Sequence, residues 1–195
     1  MARLDSIAAK LAAIGGDHGV DPGQGPRAAV AAILRQLPGA EGADLFFIQR
    51  AEHPDDPWSG HIAFPGGRRD PEDASLLATA IRETREEVGI DLSLEHYLAR
   101  LPDVPAFLRA KRTGLVVTPF VFAIPNDVPI VPNVEVASTL WVPLATLARG
   151  EGKSSFKLDY EGQSYDLPCM HLEPGRPRLW GLTYRMLETL LDVVR

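Results

Sequence analysis

The chain has 195 residues, of which 45% are hydrophobic and 24% are charged, as is typical of a globular domain with a buried core. Its formal net charge of −6 argues against a nonspecific nucleic-acid-binding protein, which would carry a broad basic surface. No apolar run approaches the ~20 residues of a membrane span, and the single cysteine, Cys169, excludes a disulfide framework or a cysteine-rich zinc site. We therefore expect a cytoplasmic protein that has neither nucleic acid nor a membrane as its partner.

The first predicted element is an N-terminal amphipathic helix, which ends in a Gly/Pro-rich loop. Asp5 and Lys10 interrupt any apolar run within it, so it is a poor signal peptide. Its apolar stripe consists of Leu4, Ile7, Ala8, Leu11 and Ile14. We interpret residues 1–26 as this helix and loop, and residues 27–195 as the main domain.

The main domain begins with two apolar runs, "RAAVAAIL" and "ADLFFIQR", which predict two strands joined by a turn. The segment "GHIAFPGG" predicts a further strand, stopped by its two glycines. A helix is then expected over residues 71–88. Asp70 is the predicted N-cap, Pro71 suits the first helical position, and Gly89 is a suitable stop.

The second half of the chain mixes strands and helices. "LVVTPFVFAI" and "STLWVPL" predict strands, "PLATLARG" a short helix, and "SSFKLDYEGQSYDLP" a hairpin. "WGLTYRMLETLLDVV" predicts a closing amphipathic helix. Because strands and helices do not alternate regularly, we expect an α+β fold rather than a doubly wound sheet.

Three carboxylates crowd one face of the helix predicted over residues 71–88. Glu83, Glu86 and Glu87 fall within an arc of roughly 100°, beside an apolar stripe of Leu77, Ile81, Thr84 and Val88 that can bury against a sheet. Like charges at this spacing repel, whereas hard divalent cations bind carboxylate oxygens. Arg82 can fix one carboxylate through a charge-assisted hydrogen bond. The alternative is a solvated helix face, but the nearby "FPGG" loop, whose backbone can approach a ligand, favours a metal site.

The stretch "RETREEVGI" and the glycine pair before it resemble the Nudix box, the signature of hydrolases that cleave a nucleoside diphosphate linked to another group. Arg82, the three glutamates and Gly89 match the second half of the box, with Thr84 in its apolar slot. The first half departs, because Asp73 stands where the box has glutamate, and eight rather than seven residues separate it from Arg82. We interpret Asp73 as a helix-start residue.

"FPGG" and the acidic, longer segment after it resemble the coenzyme A pyrophosphatase branch of this family. So do "LFFIQRA" upstream and "VVTPFVF", "VEVASTLWVPL" and "RLWGLTYRMLETLL" downstream, so the resemblance covers residues 27–195. The branch normally has a second arginine in the loop after Arg50, where this chain has Asp55, Asp56 and Trp58. The resemblance implies a Nudix fold, in which α-helices sandwich a mixed β-sheet.

The resemblance further implies that Glu83, Glu86 and Glu87 bind Mg²⁺ or Mn²⁺, with a carbonyl of Gly66 or Gly67 completing the shell. The cation would neutralise a pyrophosphate and lower the pKa of a bound water. Water would then attack phosphorus without a covalent enzyme intermediate. From coenzyme A, the expected products are 3′,5′-ADP and 4′-phosphopantetheine.

The general base is either a box glutamate or Glu135, which otherwise reads as a surface-loop residue. Arg50 and Arg68 are candidates for binding a phosphate, and the alternatives are a strand cap and an exposed loop residue. His61 is expected to contact substrate or to form a structural hydrogen bond. Trp58 either stacks on a base or is buried, and Trp180 is a candidate neighbour of the site.

Two alternatives to coenzyme A hydrolysis stay open. One is a Nudix hydrolase of another nucleotide, such as a nucleotide sugar, ADP-ribose or a dinucleotide. The other is a noncatalytic Nudix-fold binding module, although such a module would be expected to lose its box glutamates. The expected partner is a small-molecule nucleotide. We also expect a homodimer.

Overall fold

The structure, a computed structural model, describes residues 3–14, 25–54, 59–108, 111–124, 128–160 and 162–195, with the backbone alone at 107–108 and 111–113. Residues 15–24, which make up most of the predicted Gly/Pro-rich loop, lie outside the described residues. So do Asp55, Asp56 and Trp58 of the loop after Arg50, and both alternatives for Trp58, stacking and burial, therefore stay predictions.

The described elements alternate irregularly along the chain. Four α-helices are described, namely α1 (Leu4–Ile14), α2 (Leu76–Val88), α3 (Leu144–Ala148) and α4 (Gly181–Val194), with a 3₁₀ turn at Leu94–His96. The first six strands are β1 (Arg27–Arg35), β2 (Asp44–Arg50), β3 (Ile62–Ala63), β4 (Gly66–Arg68), β5 (Tyr97–Arg100) and β6 (Val104–Leu108). The remaining strands are β7 (Lys111–Ile124), β8 (Val136–Pro143), β9 (Lys153–Tyr160), β10 (Gln163–Met170) and β11 (Leu179–Trp180).

Strand β1 is the centre of a mixed eight-stranded sheet. It runs parallel to β7 and antiparallel to β2 and β4. Strand β2 also pairs with β3 and β8, and β7 with β5 and β6. A strand covered on both faces reads as an unbroken apolar run, which explains "AAVAAIL" in β1.

The two faces of β1 belong to two separate cores. Ala28, Val30, Ala32 and Leu34 belong to a core that also contains residues of α1 and α4, whereas Ala29, Ala31 and Ile33 belong to one that contains residues of α2. From α2, Leu77 and Val88 are buried in this second core and Ile81 is partly buried against it. The predicted α+β fold, a mixed sheet between helices, is therefore confirmed.

Strands β9, β10 and β11 form a second, three-stranded antiparallel sheet, so the predicted hairpin is confirmed. Helix α4 follows β11 and packs against α1, where Lys10 Nζ donates a hydrogen bond to the carbonyl oxygen of Val194 at 2.9 Å. Helix α1 thus shares a core with the domain, while the proposed division at residue 26 stays a prediction. Within the described part of the chain, no helix has the length and apolar character needed to cross a membrane.

The predicted start of α2 is wrong. The helix begins at Leu76, and Ser75 is its N-cap, with the side-chain oxygen accepting a hydrogen bond from the backbone N–H of Ala78 at 3.1 Å. Asp70 and Pro71 precede the helix in a turn, because the carboxylate of Asp73 is directed inward instead of toward a helix start.

The two glycines after Phe64 were also misassigned. They do not stop a strand but form one, since Gly66 and Gly67 belong to β4 and pair with Val30 and Ala29 of β1. Strands β5 and β6 were not predicted at all. Both pair with β7 across irregular registers, which leave no regular alternation in their sequences.

Candidate active site

One cavity of about 710 Å³ contains the whole predicted site. Strands β2, β3 and β4, helix α2, the loop before β8 and the start of α4 all contribute to its wall. The predicted site residues that line it are Arg50, His61, Gly66, Gly67, Arg68, Arg82, Glu83, Glu86, Glu87 and Glu135. The structure thus brings these residues together, and their individual roles stay predictions.

Arg82 organises the acidic side of the cavity. Its Nη1 donates to Glu83 Oε1 and to Glu86 Oε2, both at 3.0 Å. Its Nε and Nη2 donate to Oδ1 and Oδ2 of Asp73, both at 2.9 Å, and Nη2 also reaches the carbonyl oxygen of Arg68 at 3.2 Å. The guanidinium of Arg82 therefore holds Glu83, Glu86 and the end of β4 in place together.

Asp73 is the buried anchor of Arg82, a role that the sequence analysis missed. Its Oδ2 also accepts hydrogen bonds from Thr79 Oγ1 at 2.8 Å and from the backbone N–H of Asp70 at 3.0 Å. The hydrogen bonds from Arg82 are the main cause that lowers the pKa of Asp73 to about 2, against the opposing effect of burial. The interpretation of Asp73 as a helix-start residue is therefore wrong.

Glu87 is the most buried of the three glutamates, with 3% of its surface exposed. Its Oε2 accepts a hydrogen bond from the backbone N–H of Gly66 at 2.8 Å, and its Oε1 lies 3.9 Å from Nη1 of Arg50. Burial raises the pKa of Glu87 to about 7, although the Gly66 N–H and the Arg50 charge oppose this shift. The cost of burying the charge thus outweighs what these two partners contribute to the ionised carboxylate.

Glu83 and Glu86 differ in exposure. Glu83 is partly buried against β4, so close that a Cβ added to Gly67 would lie 2.5 Å from its Cδ. Burial is the main cause that raises the pKa of Glu83, and the Arg82 charge opposes it. The Glu86 side chain is 55% exposed at the open side of the cavity. The absence of a side chain at Gly67 is therefore what gives the Glu83 carboxylate its place.

The donor set fits a hard divalent cation. Glu83, Glu86 and Glu87 offer carboxylate oxygens beside the backbone of Gly67, against which the Glu83 carboxylate lies. Among the residues that the structure describes, no three His, Cys, Asp or Glu side chains form a ready metal cluster. Mg²⁺ does not require one, because it usually combines one or two carboxylates with waters and substrate phosphates.

The loop that carries Glu135 is tied to the C-terminal end of α2. The backbone N–H of Asn133 donates to the carbonyl oxygen of Glu87 at 2.8 Å, and that of Val131 donates to Val88 at 2.9 Å. Asn133 Oδ1 in turn accepts from the backbone N–H of Glu135 at 2.8 Å. Sequence reasoning missed Asn133, although an asparagine two residues before the hydrogen-bonded amide is typical of an Asx turn.

Aromatic rings form another part of the cavity wall. The rings of His61 and Trp180 lie 4.9 Å apart between centroids, and Trp180 also packs edge-on against Phe156 of β9 at 5.2 Å. The expectation that Trp180 lies near the site is thus confirmed. Apolar residues that sequence reasoning did not assign to the site continue this wall, namely Val30, Ile62, Phe64, Leu115, Val117, Leu182 and Met186.

The fold and this acidic cavity define a Nudix-type hydrolase, and sequence comparison agrees. A family model for the NUDIX domain matches residues 25–159. "Uncharacterized Nudix hydrolase NudL" from Yersinia pestis (strain Pestoides F) is 32% identical over 165 residues, which cover 84% of this chain and 79% of the relative. A protein of the same name from Yersinia pseudotuberculosis serotype O:1b (strain IP 31758) has the same identity and coverage. The chain therefore belongs to the NUDIX family and is a Nudix hydrolase.

Solved structures agree with this fold. A MutT/nudix family protein from Enterococcus faecalis superposes with a TM-score of 0.60 at 17% identity, covering 90% of this chain and 64% of that one. The NUDIX domain of Shewanella oneidensis NrtR, solved with ADP ribose, gives a TM-score of 0.58 at 17% identity, covering 90% and 94%. A bifunctional Francisella tularensis enzyme, solved with AMP and a Mn ion, gives 0.54 at 16% identity, covering 90% and 44%.

Proposed function

We propose that this Nudix hydrolase cleaves the pyrophosphate bond of a nucleoside diphosphate linked to another group, with coenzyme A or its derivatives as the substrate. The observation that carries the proposal is the cavity itself. It joins three box glutamates and the arginine that orients them to a wall of aromatic and apolar side chains. Such a cavity suits a ligand with a charged centre, a base and an uncharged arm.

The acidic side would hold the metal. Glu83, Glu86 and Glu87 would bind Mg²⁺ or Mn²⁺, with the carbonyl oxygen of Gly67 as a further donor. When bound, the cation supplies positive charge against the phosphates and lowers the pKa of a water molecule. Arg82 keeps Glu83 and Glu86 in place through the 3.0 Å hydrogen bonds of its Nη1.

The remaining residues act on substrate and water. Arg50, at the end of β2, offers its guanidinium to a phosphate oxygen, and Arg68 lines the same cavity from β4. A carboxylate, proposed to be that of Glu135, accepts a proton while the water oxygen bonds to phosphorus. The bridging P–O bond then breaks, and the released phosphate oxygen leaves with the second product.

Coenzyme A is favoured by the resemblance of residues 27–195 to the coenzyme A pyrophosphatase branch. The apolar residues Leu115, Val117 and Met186 of the cavity wall support it, because the pantetheine arm of coenzyme A has a long uncharged stretch that needs such a surface. A homodimeric state and a cytoplasmic location are proposed alongside, and they rest on the sequence alone.

Product analysis tests the proposal. The protein would be incubated with Mg²⁺ or Mn²⁺ and coenzyme A, acetyl-coenzyme A, ADP-ribose, a nucleotide sugar or a diadenosine polyphosphate. Release of 3′,5′-ADP from coenzyme A, lost in Glu87→Gln, is the expected result. Cleavage of another compound alone would keep the reaction and overturn the substrate. No cleavage by either protein would favour a noncatalytic binding module.

A further inference from the structure

The loop at residues 131–135 covers the C-terminal end of α2. The backbone N–H of Val131 donates to the carbonyl oxygen of Val88 at 2.9 Å. That of Asn133 donates to the carbonyl oxygen of Glu87 at 2.8 Å. The last carbonyl groups of a helix have no partner within it, so the loop satisfies two of them. The loop is therefore held in place against the helix that carries the three glutamates of the box.

The side chain of Asn133 fixes the backbone two residues further on. Its Oδ1 accepts a hydrogen bond from the backbone N–H of Glu135 at 2.8 Å. The carbonyl oxygen of Glu135 accepts another from the backbone N–H of Ala51, just after β2, at 2.7 Å. Both backbone polar groups of Glu135 are thus engaged, while its side chain lines the cavity. Through Asn133, the backbone of a candidate metal ligand, Glu87, is connected to that of the candidate base.

A shift in strand register decides on which face of the sheet Glu135 lies. Leu140 and Val142 of β8 belong to the core that contains residues of α4. Side chains of a strand alternate between its faces, so Val136 would be expected in the same core. It belongs instead to the core beside α2, because the pairing of β8 with β2 passes over Ala137 as an extra residue. Glu135, next to Val136, therefore lies on the face of the α4 core, to which the buried apolar side chains of the cavity also belong.

The Glu135 carboxylate lies near that of Glu87 and is repelled by it. Burial is the main cause that raises the pKa of Glu87 to about 7, and the negative charge of Glu135 adds to this rise. Glu135 is an exposed residue, so side-chain packing does little to keep it beside a like charge. Its backbone contacts, with Asn133 on one side and Ala51 on the other, are what hold it at the cavity.

We propose that Asn133 is a positioning residue, whose side chain holds Glu135 at the cavity where its carboxylate accepts the proton of the attacking water. The proton passes to Glu135 as the water oxygen bonds to phosphorus and the bridging P–O bond breaks. This inference rests on the proposed function, in which Glu135 is the base, and adds the residue through which the base is placed. It applies to whichever nucleotide is cleaved, because it concerns the reacting water and not the leaving group.

Amide hydrogen exchange, measured by NMR, tests the contact without requiring catalysis. The backbone N–H of Glu135 is expected to be protected in the wild type and to lose this protection in Asn133→Ala. Asn133→Ser should keep much of it, because a serine oxygen can accept a hydrogen bond from the N–H two residues on. Val134→Ala, at a residue of the same loop that is 93% exposed, is the matched control. Equal exchange in the wild type and in Asn133→Ala would overturn the proposal.

Steady-state kinetics test the positioning role with whichever nucleotide the wild type cleaves. Asn133→Ala is expected to lower kcat about tenfold, because a small displacement of a catalytic group costs much of its effect. KM and the affinity for Mg²⁺ should stay within about twofold of the wild type, since neither is proposed to depend on Asn133. Asn133→Ser should recover most of kcat, and Val134→Ala should retain all of it.

A double-mutant cycle separates positioning from a general structural role. Glu135→Gln removes the base and is expected to lower kcat about 100-fold. In that background Asn133→Ala should cost less than about twofold more, because the group that it positions is already lost. A tenfold loss in both backgrounds would overturn the proposal. Urea unfolding checks each variant, and Asn133→Leu, which also lacks the acceptor, replaces Asn133→Ala if the latter is not folded.

The outcomes for this inference and for the proposed function differ. If the wild type cleaves a nucleotide and Asn133→Ala is equally active, the function stands and the positioning role is wrong. If the wild type cleaves none of the compounds, the proposed function fails, and a role of Asn133 in the reaction fails with it.

Discussion

Arg82 and Asp73 are joined by two parallel hydrogen bonds of 2.9 Å, from Nε to Oδ1 and from Nη2 to Oδ2. The third nitrogen of the same guanidinium holds Glu83 and Glu86. The orientation of two candidate metal ligands therefore depends on an aspartate that precedes their helix and does not itself line the cavity.

Loss of this pair is expected to affect both stability and activity. Asp73→Asn should lower the free energy of unfolding by about 2 kcal/mol, because it leaves the partly buried Arg82 charge without its main partner. It should also lower kcat, since Arg82 can then turn away from Glu83. Urea unfolding and turnover measure the two effects. Glu72→Gln, an exposed neighbour, is the control, and equal behaviour of the two variants would contradict the prediction.

The same pair predicts a pH dependence. Asp73 has a pKa of about 2 in the folded protein, lowered mainly by its hydrogen bonds from Arg82, against an ordinary value of 3.8. Its stabilising contribution is therefore complete above pH 3.8 and is lost as the pH falls to about 2, and it amounts to about 2 kcal/mol. Urea midpoints measured from pH 5 downward should show the wild type losing its advantage over Asp73→Asn. A constant difference would contradict this.

Much of α2 and its glutamates could be predicted from the sequence, because helical periodicity and charge are local properties. The start of α2 could not. The residues before it carry ordinary start signals, but a contact with Arg82 and Thr79 draws Asp73 inward and leaves Ser75 as the cap. A tertiary contact of this kind overrides local preference and has no local signature.

The prediction that these residues form one site came from the family resemblance and not from the sequence pattern. Periodicity does not indicate that Arg50, His61 and Glu135, from three separate segments, share one space. The contribution of the start of α4 to the same cavity is still less visible, since its sequence is that of an ordinary amphipathic helix. Both features follow from how the β-strands and α4 pack, and only the structure shows them.

Replacing each of the two buried threonines of α2 by valine is expected to change stability in opposite directions. The hydroxyl oxygen of Thr84 is buried and has no hydrogen-bond partner among the described residues, whereas Thr79 Oγ1 donates to Asp73 at 2.8 Å. Thr84→Val should stabilise the fold by about 1 kcal/mol, because valine has nearly the same shape as threonine and lacks the unsatisfied hydroxyl group. Thr79→Val should destabilise it by about 1 kcal/mol or more. Urea unfolding compares them, and a loss of stability in Thr84→Val would contradict the first prediction.

Changing each of the adjacent glycines of β4 to alanine should have a different effect: one change should lower stability and the other should lower activity. Gly66 has a φ of 145°, and an added Cβ would lie 2.5 Å from the Cα of Val30, so Gly66→Ala should destabilise the fold by about 3 kcal/mol. At Gly67 the added Cβ meets the carboxylate of Glu83, which can move. Gly67→Ala should therefore remain folded and lose activity on the order of 100-fold, because a candidate metal ligand is displaced.

Thermal unfolding and turnover of the two glycine variants decide this prediction. Mg²⁺ titration of Gly67→Ala adds an independent readout, since weaker binding is expected there. If Gly67→Ala kept full activity, the position of Glu83 beside β4 would not matter for the reaction.

The contact between α1 and α4 has a consequence for how the protein is made. Lys10 bonds to Val194, and Ile7 and Leu11 are buried in the core to which Leu187 and Leu190 belong, so this core brings together residues from the two ends of the chain. During synthesis, α1 leaves the ribosome long before the helix that covers it. Until then its apolar face is exposed, and the nascent chain presents to chaperones and proteases a surface that the finished protein hides.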